Sequence, residues 1–176
     1  SWPGVLVADA SRLENTPGLG VYIHWPFCSA ICPYCDFNVH PVRDMQAADW
    51  RAGYFLALEH AQTMRADGPV ETVFFGGGTP SLMPPGLIGD LLADIDRRWG
   101  LAADAEISLE ANPVTAPAAR LKDLKDAGIT RLSLGAQAFD AAALKFLGRT
   151  HSLEQAEDAF VAARGIFDRA SLDLIY

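Results

Sequence analysis

The chain is poor in cysteine, with three in 176 residues. All three fall between Cys28 and Cys35, too close together to staple long loops. That argues against a disulfide-built scaffold and for a metal in a reducing compartment, so we expect a cytoplasmic protein. Basic charge is also scarce: 14 Lys and Arg against 22 Asp and Glu leave a net charge of -8. Such a chain is a poor match to nucleic acid or to an anionic membrane surface. No apolar run approaches the length of a membrane span. Residues 1–20 lack the basic-then-apolar pattern of a secretory leader. There is no sequence repeat and no low-complexity linker. What remains is ordinary globular composition, 50% hydrophobic and 20% charged, long enough for one domain with a core.

Short apolar, β-branched or aromatic runs alternate with amphipathic stretches. We read parallel-sheet strands at residues 21–24, 72–75, 107–110, 131–136 and 172–176. Between them, Trp50, Tyr54, Leu58 and Ala61 fall on one helix face. Ile88, Leu91, Leu92, Ile95 and Trp99 fall on another. Leu121, Leu124 and Ala127 mark a third, with Lys122, Asp123, Lys125 and Asp126 outward. Gly100 and Gly128 suit helix stops, and Pro117 a first helical turn. Ser152 with Gln155 reads as a capping box opening a helix through residues 160–163. Repeated β-α units imply an α/β fold with a parallel sheet. The pattern alone does not separate a barrel from an open sheet. Residues 1–19 read as an irregular lead-in. The chain stops inside an apolar run at 172–176, so we expect the N-terminal part of a longer fold.

The cysteines follow the first strand with the spacing Cys28-x3-Cys32-x2-Cys35. Thiolates bind iron–sulfur clusters, and a four-iron cluster needs four ligands. Three cysteines hold three irons and leave one open to chelate a small molecule. That arrangement permits reductive cleavage of S-adenosylmethionine to a carbon radical. A structural zinc with His24 or His40 as fourth ligand is the competing reading, and three unrelated buried cysteines another. The second strand runs into Gly76-Gly77-Gly78-Thr79, where missing side chains would let a ligand touch backbone. A plain tight turn would look the same. Glu110 ends the third strand, Gln137 follows the fourth, and Arg149 precedes a helix start. Together they can bind hydroxyls, an amino group and a carboxylate; singly each could be a solvated or capping residue. In parallel β/α folds ligands sit at the carboxyl ends of strands, and these motifs all fall there. Asp173 lies inside the last strand. His24 and Trp25 read as packing around the cysteines, His151 as a cap, and Phe74 with Phe75 as core.

Several stretches together resemble one family. They are Val21 to Cys28, Cys32-Pro-Tyr-Cys35-Asp-Phe37-Asn38, Phe75 to Ser81, Leu109-Glu-Ala-Asn-Pro113, Arg131 to Gln137, Leu147 to Ser152 and Leu172 to Tyr176. From about Gly20 onward the chain is similar to radical SAM proteins related to oxygen-independent coproporphyrinogen III oxidase. The resemblance implies an α/β fold, the N-terminal portion of a partial (β/α)6 TIM-like barrel spanning residues 20–176, about five strands of it. It implies a [4Fe–4S] cluster on Cys28, Cys32 and Cys35. It also implies S-adenosylmethionine contacts at Tyr22, Tyr34, Gly77, Gly78, Thr79, Glu110, Gln137, Arg149 and Asp173. The oxidases carry a fourth cysteine two residues after the third, where this chain has Phe37. Phe37 with Asp36 and Asn38 resembles the HemW branch of haem chaperones. That branch implies haem or porphyrin, a haem-accepting protein and an electron donor as partners. Its haem-linked His-Asn-x-x-Tyr-Trp motif would lie beyond Tyr176. The alternative within the family is oxidative decarboxylation of coproporphyrinogen III.

Overall fold

The computed structural model describes residues 5–7, 18–41, 47–64 and 68–176. Its strands are β1 (Val5–Val7), β2 (Leu19–Trp25), β3 (Phe27–Cys28), β4 (His40–Pro41), β5 (Val70–Gly77), β6 (Leu101–Ala111), β7 (Arg131–Gln137) and β8 (Arg169–Leu174). Its helices are α1 (Ala47–Met64), α2 (Pro85–Trp99), α3 (Ala118–Asp126), α4 (Ala141–Phe146) and α5 (Leu153–Ile166).

Six strands form one sheet in the order β1-β2-β5-β6-β7-β8. The five from β2 onward pair in parallel, as the β-α alternation predicts. β1 departs from both readings. It is a strand within the segment read as an irregular lead-in, and it runs antiparallel to β2, with Val5 opposite Ile23. The rest of that lead-in, up to residue 17, lies outside the described residues.

Alternation along β2 shows how the sheet is faced. Leu19, Val21, Ile23 and Trp25 are buried, while Gly20, Tyr22 and His24 are half-buried. The buried set packs on a helical layer in which α1 meets α2, α2 meets α3 and α3 meets α5. Tyr54, Leu58, Ile88, Leu91, Ile95, Leu121 and Leu124 supply the helix side of the core. Burying one such side chain stabilises by about 1.5–3 kcal/mol relative to exposure.

The opposite face is polar. The pairings Ser108 with Arg131, Glu110 with Ser133, Ser133 with Ser171 and Gly135 with Asp173 put these residues side by side. Ser133 Oγ donates to Asp173 at 2.8 Å, and Arg131 Nη2 donates to Ser171 Oγ at 3.0 Å. This explains a shift in β8. The apolar run implies a strand over 172–176, but the strand starts at Arg169 and stops at Leu174. Its first half carries polar residues for the inner face, which an apolar count passes over. Asp173 therefore lies inside its strand, as expected, one residue before the carboxyl end.

The helix signals are met closely. Ser152 and Gln155 form the reciprocal capping box. Gly100 and Gly128 end helices at positive φ. Pro117 is the N-cap of α3 rather than its first-turn residue, because its ψ of 154° is extended. No apolar signal marked α4, which buries only Leu144.

Candidate functional site

The cysteine loop is closed at its base. β3 and β4 pair in parallel, Phe27 with His40, and the His40 amide donates to the Pro26 carbonyl at 2.7 Å. Beneath the loop, Phe27 meets Trp25 and Trp50 edge-on, with ring centroids 5.2 and 5.1 Å away. Within it, the Cys35 amide donates to the Cys32 carbonyl at 3.0 Å, closing a turn between the last two cysteines. All three cysteines are free thiols; Cys28 is buried and the others half-buried. Burial pushes the Cys28 thiol up from its ordinary value. The Thr79 hydroxyl, 3.5 Å from its sulfur, pulls it down, and Cys35 and Cys32 push it up again. A thiol buried like that of Cys28 ionises readily only when a positive partner sits beside it.

All three thiols line one pocket of about 270 Å³. The wall beside them is the end of β5 and the residue after it, where Gly77 and Gly78 pass so close that side chains would collide. A Cβ on Gly77 would lie 2.5 Å from the His24 ring, and φ there is +108°. On Gly78 it would lie 2.8 Å from the Phe27 carbonyl oxygen and 3.0 Å from Cys28 Sγ. These glycines are thus required by strand packing, and they also bare backbone to the pocket.

Glu110 Oε2 accepts from the Gly77 amide at 3.1 Å, tying β6 to the glycine wall. Burial raises its carboxyl above the ordinary range, the Gly77 bond opposes this, and Asp173 raises it further. Gln137 has φ 65, left-handed for a non-glycine residue. The Ala138 amide reaches back to Ala136 O at 2.8 Å, so Gln137 is the centre of a strained γ-turn. Arg149 crosses the pocket. Nη2 donates to Gly135 O at 2.9 Å, while Nη1 lies 3.4 Å from Cys32 Sγ and 3.5 Å from the Tyr34 hydroxyl. Its Nε is buried without a partner.

Tyr34, Gly77, Gly78, Thr79, Glu110, Gln137, Arg149 and Asp173 therefore share one pocket with the cysteines. Tyr22 stands apart from its lining: the ring stacks on Phe74 at 6.1 Å, and the hydroxyl lies 3.2 Å from His24 Nδ1. Burial raises the Tyr22 hydroxyl, and Glu110 adds to that. His24 is a bracket rather than a ligand. Its Nε2 bonds the Asn38 carbonyl at 3.0 Å, and its own carbonyl accepts from Tyr54 at 2.6 Å. Among the described residues no histidine lines the pocket, so a fourth zinc ligand from His24 or His40 is not at hand. The pocket also takes in Phe37, Gly135 and Asn112. The last two were not singled out, although Asn112 lies two residues after Glu110 in the same motif. Its side chain caps the turn Pro113–Thr115 by accepting from the Val114 amide at 3.1 Å.

The profile of the radical SAM superfamily matches residues 22–176. The chain belongs to that superfamily, and its parallel sheet is part of a TIM-like radical SAM barrel. It is 42% identical over 166 residues to the heme chaperone HemW of Escherichia coli, covering 93% of this chain and 44% of that protein. It is also 42% identical over 158 residues to the mitochondrial radical S-adenosyl methionine domain-containing protein 1 of Mus musculus, covering 88% of this chain and 35% of that one. The structure of the radical SAM coproporphyrinogen III oxidase HemN of Escherichia coli superposes with a TM-score of 0.71 and 31% identity, over 88% of this chain and 36% of that chain. The chain thus spans less than half the length of these relatives. Among the described residues no helix is long and apolar enough to cross a membrane.

Proposed function

We propose that this chain is the cofactor-binding part of a HemW-like radical SAM haem chaperone. The observation that carries the reading is the single pocket that gathers three free thiols, a bare glycine wall, two carboxylates, two side-chain amides and one guanidinium. The donor set fits a [4Fe–4S] cluster. Three thiols lie on a loop closed at its base, Thr79 and Arg149 reach two of the sulfurs, and among the described residues no fourth cysteine and no histidine lines the pocket. Among the described residues no three His, Cys, Asp or Glu converge as a single ion requires, whereas cubane thiolates each take a different iron.

Cys28, Cys32 and Cys35 would hold the cluster. S-adenosylmethionine suits the rest of the pocket, since it is a zwitterion with an added sulfonium charge. Glu110 and Asp173 offer acceptors to its amino group and ribose hydroxyls, and Arg149 offers a donor to its carboxylate. Gly77, Gly78 and Thr79 lend backbone, and Gln137 and Tyr34 orient the ligand; Tyr22, outside the lining, packs beside Gly76 behind the glycine wall. When bound, the pair supplies one-electron cleavage chemistry. A protein electron donor would reduce the cluster, in a reducing compartment such as the cytoplasm.

Phe37, at the pocket wall and 59% exposed, favours the chaperone over the oxidase because oxidases carry cysteine there. The HemN superposition favours the second reading, oxidative decarboxylation of coproporphyrinogen III. Anaerobic reconstitution of the whole protein is expected to give a brown species with equal iron and sulfide, four of each per chain by the chemistry of the cluster type, or about 4:4. Stoichiometric zinc without sulfide would sink the cluster assignment. Haem transfer to an apo-acceptor without porphyrinogen turnover is the expected behaviour; turnover would reject the chaperone.

A further inference from the structure

Two successive carbonyls at the end of β7 are held from one loop. Arg149 Nη2 donates to Gly135 O at 2.9 Å, and His151 Nε2 lies 3.0 Å from Ala136 O. A carbonyl only accepts, so Nε2 carries the ring proton. His151 is 5% exposed, and its Nδ1 is buried without a partner. The helix-capping role expected of this residue is filled instead by Ser152, whose side chain and Gln155 close the box at the start of α5. The ring is therefore free for a different task. The Ala136 carbonyl it meets is the same one that receives the Ala138 amide and closes the turn around Gln137 at φ 65. On the far side, the Ile175 amide donates to Gln137 O at 2.9 Å.

We infer that His151 is a positioning residue that clamps the strained turn at the end of β7, setting Gln137 and Arg149 at the pocket. The sequence offers neither glycine nor asparagine at 137, so the left-handed turn must be imposed from outside. His151 imposes it through the Ala136 carbonyl. Burial and the Arg149 charge lower its pKa and keep the ring neutral, with its one proton on the clamp. The identity of the ligand that benefits rests on the proposed function; the clamp itself does not.

The test uses the whole protein with His151→Leu, His151→Gln and His151→Leu combined with Gln137→Gly. Amide exchange is read without cluster, and S-adenosylmethionine binding is read by equilibrium dialysis after reconstitution. In His151→Leu the Ala138 amide should exchange about fivefold faster, the factor expected for one lost hydrogen bond, with β5 unchanged. Ligand binding should weaken by a similar factor at undiminished iron content. His151→Gln returns an N–H donor and should restore at least half of both losses, and it serves where the leucine variant fails to fold. Gln137→Gly accepts the left-handed turn without strain, so leucine at 151 should change exchange little in that background. Unchanged exchange at Ala138, an equal rise across β5, or no rescue by glutamine would overturn the clamp. A wild-type protein that carries its cluster but binds no S-adenosylmethionine would overturn the proposed function, while the exchange arms still decide the clamp.

Discussion

Gly78→Ala isolates the contact between the glycine wall and the cysteine loop. The added methyl would sit 2.8 Å from the Phe27 carbonyl oxygen and 3.0 Å from Cys28 Sγ. The first is backbone and cannot rotate away, and Phe27 is wedged between Trp25 and Trp50. The loop must shift outward and take Cys28 with it. Overpacking of this kind costs about 1–3 kcal/mol. For a domain of this size each kcal/mol lowers the melting midpoint by about 2–4 °C, so a fall of about 2–12 °C is expected. Moving one sulfur also spoils the ligand set, and iron bound after anaerobic reconstitution should drop below half. The control is Gly165→Ala in α5, where an added Cβ meets nothing within 4 Å. Alanine there should stabilise by about 0.5–1 kcal/mol through helix propensity, with iron content unchanged. Thermal melts and iron–sulfide assays on both variants read the outcome. If Gly78→Ala matched the wild type in midpoint and iron, the close approach of the turn after β5 to the cysteine loop would be refuted.

Glu110 binds its proton more tightly in the folded state than in the unfolded chain, because burial and Asp173 raise it. Its contribution therefore favours folding at low pH and is lost as pH climbs from the ordinary carboxylate range through the raised value. Denaturant midpoints of Glu110→Gln, which keeps an acceptor for the Gly77 amide, should gain on the wild type across that window; parallel pH curves would count against it. Arg149→Lys cannot span Gly135 O, Cys32 Sγ and the Tyr34 hydroxyl at once. It should weaken S-adenosylmethionine binding about 10- to 100-fold by calorimetry, the range for a lost charged hydrogen bond. Ser152→Ala removes the α5 cap and should cost about 1 kcal/mol in a urea titration, with no change in iron content.

The sequence by itself determined the local features of this protein. Cys28, Cys32 and Cys35 lie on one short stretch of chain, so their joint use follows from spacing alone. The capping box at Ser152 and the buried faces of α2 and α3 also follow from neighbours a few residues apart. Strand ends could be placed because buried strands are apolar, and strand ends are where a parallel sheet puts its ligands. Tertiary structure decided whatever depends on partners far along the chain. It brought Arg149 to Cys32, 117 residues away, and Glu110 to Gly77, 33 away. It held Gln137 left-handed, where no glycine announces the turn, and it stood Tyr22 off the pocket on Phe74. It began β8 at Arg169, because Ser133 and Arg131 supply polar partners that no hydrophobic pattern records. Periodicity reports which face of an element is buried; only the packed sheet sets which groups meet across it.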